Sequence, residues 1–144
     1  MLRTTFLLAL VFGSISAQTP DPAYQPLDRA YQALREKAYD QAIASFVQAI
    51  ALAPNRPAIR KDLAYTLLKA GENEAARDQF GEAMRLDPAD EHVALEYAFL
   101  CYETKQQADA RRIFDRIRKT GAAPFKDTAE QAFQNIDQPL AAGW

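Results

Sequence analysis

The chain has 144 residues, one cysteine and a formal charge of −2 at neutral pH. That is a one-domain length, and so balanced a charge supplies no global field for nucleic acid or acidic lipid. A lone Cys101 excludes an internal disulfide in any compartment.

The chain opens with one cation, Arg3, an apolar run from Phe6 to Phe12, and the small residues Gly13, Ser14, Ser16 and Ala17. This three-part layout predicts a secretory signal over residues 1–17, cut after Ala17. The run is too short for a membrane span. No cysteine lies near the cut, so a lipid-anchored product is not expected; retention as an N-terminal anchor is the alternative. The expectation is an exported chain, periplasmic or secreted. Residues 18–26, QTPDPAYQP, read as an extended linker, because Pro20, Pro22 and Pro26 remove donors and fix backbone angles.

A first helix is predicted from about Leu27 to Lys37. Its partner starts near Asp40, a suitable N-cap, and carries Ala42, Ile43, Phe46, Val47, Ala49 and Ile50 at helical spacing until Pro54. Pro57 opens the next helix at a first-turn position, and Gly71 ends it as a C-cap glycine. Asn73 is the expected cap of the following helix, which buries Ala76, Phe80 and Ala83 and stops before Asp87 and Pro88. A third pair runs from Ala89 to about Thr120, with Gly121 as its stop. A last helix begins near Asp127, its wet face formed by Glu130, Gln131, Gln134 and Asn135. The tail 138–144 ends at Trp144, either folded back as a plug or the start of a shortened repeat. No stretch of useful length alternates with period two, so no strand is predicted.

One phrase recurs every 34 residues: DRAYQAL at Asp28, DLAYTLL at Asp62, EYAFLCY at Glu96 and EQAFQNI at Glu130. Between the copies, Ala42, Ala76 and Ala110 keep the same beat, as do Phe46, Phe80 and Phe114. A fixed period of this length marks stacked supersecondary units. A small residue in the first helix and Ala-x3-Phe-x2-Ala before proline in the second resemble the tetratricopeptide repeat (TPR) family. The resemblance covers residues 25 to about 137. It departs from the family in the large residue near the start of the first helix, where Pro26, Arg60 and Ala94 stand. The turn glycine survives only at Gly71, with Lys37 and Lys105 in the other units. The resemblance implies an all-α, right-handed α-solenoid with repeats at 27–56, 57–90 and 91–124 and a capping helix at 125–137.

Residues three and four apart share a helix face, so each first helix carries two stripes. The small stripe is Ala30 and Ala33, Ala64 and Leu67, Ala98 and Cys101. The large stripe is Leu27, Tyr31 and Leu34; Lys61, Tyr65 and Leu68; Leu95, Phe99 and Tyr102. In proteins of this family the large stripe lines a concave groove where peptides lie, which makes these nine the candidate partner-binding residues. Tyr31, Tyr65 and Phe99 would then stack as an aromatic ladder. The competing reading has the rings fill the space between units, although a phenol hydroxyl favours partial exposure. The family's Lys and Asn clamp for C-terminal carboxylates is not matched here, since aromatics hold the Asn column and only Lys61 the Lys column.

No cofactor, metal site or catalytic constellation is expected. The acids Asp28, Asp62, Glu96 and Glu130 read as solvated or capping groups, His92 as a groove-rim residue, and Cys101 as an inert buried thiol. The basic segment Ala108 to Lys119 reads as a soluble face, with Arg111, Arg112 and Arg116 as a weak contact for an anionic surface. The resulting expectation is a non-catalytic interaction scaffold of the bacterial cell envelope that binds a protein or peptide. The chain would be a monomer or weak homo-oligomer. The alternative is a self-associating structural module related to longer TPR proteins of envelope assembly or polysaccharide export.

Overall fold

The computed structural model describes residues 18–137; the expected signal segment 1–17 and the tail 138–144 lie outside the described residues. The described residues form seven helices and no strand: α1 (Tyr24–Arg35), α2 (Tyr39–Leu52), α3 (Pro57–Lys69), α4 (Asn73–Leu86), α5 (Glu91–Glu103), α6 (Gln107–Thr120) and α7 (Phe125–Asn135). Each packs chiefly on its neighbours in sequence, and α7 also reaches α5, which is the contact pattern of a helical solenoid.

The repeated columns are the core. Ala30, Ala64 and Ala98 on the first helices and Ala42, Ala76 and Ala110 on the second are all 0% exposed. A methyl group at the crossing lets two helix backbones approach closely, and the density of the interior leaves no room for a larger one. Phe46, Phe80 and Phe114 fill the space beside each crossing and are fully buried. Two clusters result, one over α1–α4 together with Val93 and Leu100 of α5 and one over the rest of α5 with α6 and α7, and Met84 and Tyr97 pack against both.

The turns inside the pairs share one geometry. Lys37 (φ 57°), Gly71 (φ 81°) and Lys105 (φ 65°) occupy the left-handed region. After each of them the next amide reaches back to the preceding helix, from Ala38 to Ala33 O (2.9 Å), Glu72 to Leu67 O (2.9 Å) and Gln106 to Cys101 O (2.7 Å). With the amides of Lys37, Gly71 and Lys105 donating to Leu34 O (3.0 Å), Leu68 O (3.0 Å) and Tyr102 O (3.2 Å), each turn is a Schellman close, which satisfies carbonyls at the end of the first helix. These turns also explain why the expected caps fail. Ala38 and Glu72, the closing residues of the turn, hold the N-cap positions of α2 and α4 and make no side-chain cap. Asp40 and Asn73 therefore fall inside the helices they were expected to cap.

Two further boundaries differ from expectation. Residues 24–26, expected in the linker, form the first turn of α1, where the missing amide of Pro26 costs no helical bond. Asp21 holds this start in place: its carboxylate accepts the Ala23 amide at 3.0 Å and pairs with Arg56 through bonds of 2.9 and 3.0 Å. At the other end α7 begins at Phe125, two residues before Asp127.

The fourth copy of the phrase does not repeat the packing of the first three. In α3 and α5 the columns Ile59/Val93 and Thr66/Leu100 are buried against the preceding pair. Their counterparts in α7, Asp127 and Gln134, are exposed, whereas Ala129 and Ile136 are buried with Ala132 and Phe133 packed beside them. The helix is rolled about its axis so that its ring column faces inward. Gln131, Gln134 and Asn135 supply the wet face expected of a cap, while Glu130 is half-buried.

Two substitutions test this packing. A lysine in the left-handed region carries a steric cost that glycine avoids, so Lys37→Gly or Lys105→Gly is expected to stabilise by about 1 kcal/mol in denaturant melts. A fall in stability would show that these turns do not depend on that conformation. A Cβ at Gly81 of α4 would lie 2.9 Å from Tyr97 Cε2. Gly81→Ala is therefore expected to lose the gain of about 1 kcal/mol normal for a helix interior, and to recover it in a Tyr97→Leu background. Equal gains in both backgrounds would exclude the contact.

Candidate partner-binding face

The first helices α1, α3 and α5 carry the large stripe at a common register. Tyr31 and Phe99 are each 39% exposed. Leu27, Leu34, Lys61, Tyr65, Leu68 and Tyr102 are half-buried. Leu95 is a correction: it is 7% exposed and belongs to the second core cluster with Ala129 and Ile136. The contact of α7 with α5 draws this leucine into the interior and removes it from the candidate face.

The rings do not form a ladder of ring upon ring. Each instead meets, edge to face, the phenylalanine of its own pair: Tyr31 with Phe46 (5.4 Å, 83°), Tyr65 with Phe80 (5.0 Å, 83°) and Phe99 with Phe114 (5.0 Å, 64°). This geometry suits the aromatic quadrupole and fixes each ring with one edge open. The packing and exposure readings thus both apply, to different sides of the same side chain.

The tyrosine hydroxyls cross to the next unit. Tyr31 donates to Asp62 Oδ2 at 2.5 Å, and the Tyr65 hydroxyl lies 3.2 Å from His92 Nδ1. His92 in turn faces Glu96 at 3.7 Å through Nε2 and meets Phe125 at 6.3 Å between centroids. Beside them Lys61 Nζ sits 3.4 Å from Asp90, whose carboxylate also caps α5 by accepting the Val93 amide at 3.1 Å. Burial raises the Asp90 pKa, but the Val93 amide and Lys61 outweigh it and hold the group below its ordinary value. Burial, and then the hydrogen bond and charge of Asp62, push Tyr31 up to about 12. Burial, and then the charges of Glu96, Asp90 and Asp62, push Tyr65 up to about 12.

His92, expected at the groove rim, is also a member of this network, and its i,i+4 spacing to Glu96 is the sign of it in the sequence. The acid column also does more than face water. Asp62 and Glu96 are tied into the face, and Glu130 lies 3.4 Å from Arg118 and accepts from Gln134 at 2.8 Å. Asp28 remains exposed. The end of the row has no hydroxyl tie, since Phe99 has none to give; there Phe133 lies under Arg118 and Arg111, at 4.1 and 5.1 Å from its centroid.

Among the described residues no group of three or more His, Cys, Asp or Glu could hold a metal. Cys101 is 0% exposed, and burial pushes its thiol up, away from a reactive thiolate. The basic helix α6 is largely paired within itself and with α7. Arg111 meets Asp137, Arg112 meets Asp109 at 3.3 Å, and Arg118 and Lys119 meet Asp115 at 2.6 and 2.7 Å, while Arg116 lies against Met84. A cavity of about 780 Å³ lies away from the ring row, between the start of α1 and the end of α2, lined by Pro22, Tyr24, Arg29 and Leu52 among others. Most of its wall belongs to residues 18–26, expected as an extended linker, so nothing in the sequence pattern announces it.

The family model described as tetratricopeptide repeat matches residues 33–85 and 67–124, together more than half of the chain. The chain belongs to the tetratricopeptide repeat family. No curated protein matches its sequence. Among solved structures it is similar to the first TPR of Spaghetti (RPAP3) bound to HSP90 peptide SRMEEVD, at 15% identity and a TM-score of 0.64, covering 81% of this chain and 90% of that one. It is similar to the second TPR domain of human RPAP3 in complex with HSP70 peptide SGPTIEEVD, at 18% identity and 0.64, covering 81% and 96%. It is also similar to the type III secretion translocator chaperone SycD of Yersinia enterocolitica, at 13% identity and 0.66, covering 82% and 85%. At these identities the likeness shows the fold.

The raised tyrosine pKa values set a pH dependence. An unfolded phenol ionises near 10, and the folded values lie above it, so this stabilisation is fully present below about pH 10 and is lost as pH rises through about 12. Absorbance titration of the native protein should show a phenolate step near pH 12 that shrinks in Tyr31→Phe and again in the double variant with Tyr65→Phe. A step unchanged by both substitutions would contradict the network.

Proposed function

We propose that this chain is a non-catalytic protein–protein interaction scaffold that holds a peptide or helix of a partner across the open edges of Tyr31, Tyr65 and Phe99. The observation that carries the reading is the row itself. The rings are locked from beneath by buried phenylalanines yet remain open on one side, so a partner can bury them with little further loss of side-chain freedom. Peptides bound by TPR domains of the same fold support the choice of partner class, by analogy of fold. Leu27, Leu34, Lys61, Leu68 and Tyr102 flank the row and complete the proposed site.

The cellular setting proposed is the bacterial envelope, reached by export and cleavage after Ala17. It rests on the N-terminal pattern alone. An anionic surface contact through Arg111, Arg112 and Arg116 has less support, because two of the three already face carboxylates.

Self-association by end-to-end stacking is also disfavoured. Gln25, Arg29 and Gln32 of α1 are exposed and stand in the columns where α3 has the buried Ile59, Leu63 and Thr66, so the first pair presents long polar groups where an inner unit is closed off from water. Terminal units with a polar outer face are how such arrays stop growing.

Tyr31→Ala combined with Tyr65→Ala should weaken binding of a partner recovered from envelope extracts by about tenfold or more, with helical content by circular dichroism retained. Undiminished binding by the folded double variant would remove the ring row from the site.

A further inference from the structure

Resting on the reading of the ring row as the partner site, we propose that the segment it holds is cationic as well as apolar, carrying lysine or arginine between its hydrophobic side chains. Each ring has a carboxylate three residues earlier on the same helix face: Asp28 before Tyr31, Asp62 before Tyr65 and Glu96 before Phe99. At the centre of the row Asp62, Asp90 and Glu96 surround Tyr65. The fixed cation among them is Lys61, which already sits 3.4 Å from Asp90.

The carboxylates keep acceptor capacity. Asp62 takes one hydrogen bond from Tyr31, and Glu96 faces the His92 imidazole at 3.7 Å, which leaves lone pairs on both groups. Arg35 and Lys69 lie one turn beyond the rings, at helix C-termini where a cation complements the dipole. In the third pair Glu103 takes that place, so the inner side of α5 reads His92, Glu96, Phe99 and Glu103 without a lysine or arginine. The charge carried by the inner sides of the first helices themselves therefore grows more negative from α1 to α5, and the next guanidiniums, Arg111 and Arg118, lie beyond them over Phe133. The raised pKa of Tyr65 agrees, since after burial its causes are the charges of Glu96, Asp90 and Asp62.

This field opposes an acidic peptide of the kind held by the similar RPAP3 domain. SRMEEVD would bring its carboxylates against Asp62 and Glu96 with one committed lysine to receive them. A guanidinium or ammonium gains on both counts. It finds carboxylates, and it can lie over the open side of Tyr31, Tyr65 or Phe99, where the ring quadrupole attracts it.

The test measures fluorescence anisotropy of the full chain with end-blocked peptides of one apolar spacing whose intervening positions are all Lys, all Gln or all Glu, and with SRMEEVD. The Lys probe should bind about tenfold tighter than the Glu probe at low ionic strength, with the gap closing as salt is added. Asp28→Asn with Glu96→Gln, two sites outside the core, should bring the Lys and Gln probes within about twofold of each other, read as the ratio of the two affinities so that any change common to both probes cancels. Equal or tighter binding of the Glu probe or SRMEEVD overturns the proposal. Tyr31→Ala with Tyr65→Ala separates the two readings. Loss of all probes without any charge order leaves the groove standing and ends the charge inference, whereas a Lys probe indifferent to the ring substitutions ends the groove reading itself. If no probe binds, both fail.

Discussion

The whole arrangement depends on alanine at the helix crossings. Ala30, Ala64 and Ala98 on the first helices and Ala42, Ala76 and Ala110 on the second are all fully buried, and side chains this small let the paired helices approach closely. That separation fixes where the neighbouring columns fall. It drives Phe46, Phe80 and Phe114 fully inside and places Tyr31, Tyr65 and Phe99 directly upon them. A larger group at any crossing would move the rings as well as the backbones, so the interior and the candidate face are one construction.

The columns were legible because they are written three times, and agreement across copies outweighs the ambiguity of any single residue. The helix ends were less so. Asp40 and Asn73 look like caps, but a two-residue Schellman close leaves no place for a capping side chain, and the residue that enters the N-cap position is chosen by the turn. Lys37 and Lys105 hid the same turn that Gly71 announces, since side-chain identity is a weak guide where a backbone angle is forced by the fold. The departure at the first-helix start has a use in the second pair, where Arg60 reaches Gln79 at 3.1 Å across to α4.

The candidate face was legible in its members and not in its wiring. Eight of the nine residues named from the stripe keep some exposure, and Leu95 does not, because rotation of a terminal helix cannot be read from a phrase that repeats its letters. Nor does a sequence show that a tyrosine hydroxyl spans to the following unit. Tyr31 to Asp62 and Tyr65 to His92 are separated by 31 and 27 residues, and only the stacking geometry brings them together.

Helix α5 joins the two core clusters: Val93 and Leu100 belong to the first, Ala94, Leu95, Ala98 and Cys101 to the second, and Tyr97, packed against both, gains its seat from the missing side chain of Gly81. A solenoid holds itself together only by nearest-neighbour interfaces, so a helix with one face in each cluster is the keystone of the array. Loosening α5 would unseat both clusters at once, so this one helix sets how cooperatively the array melts.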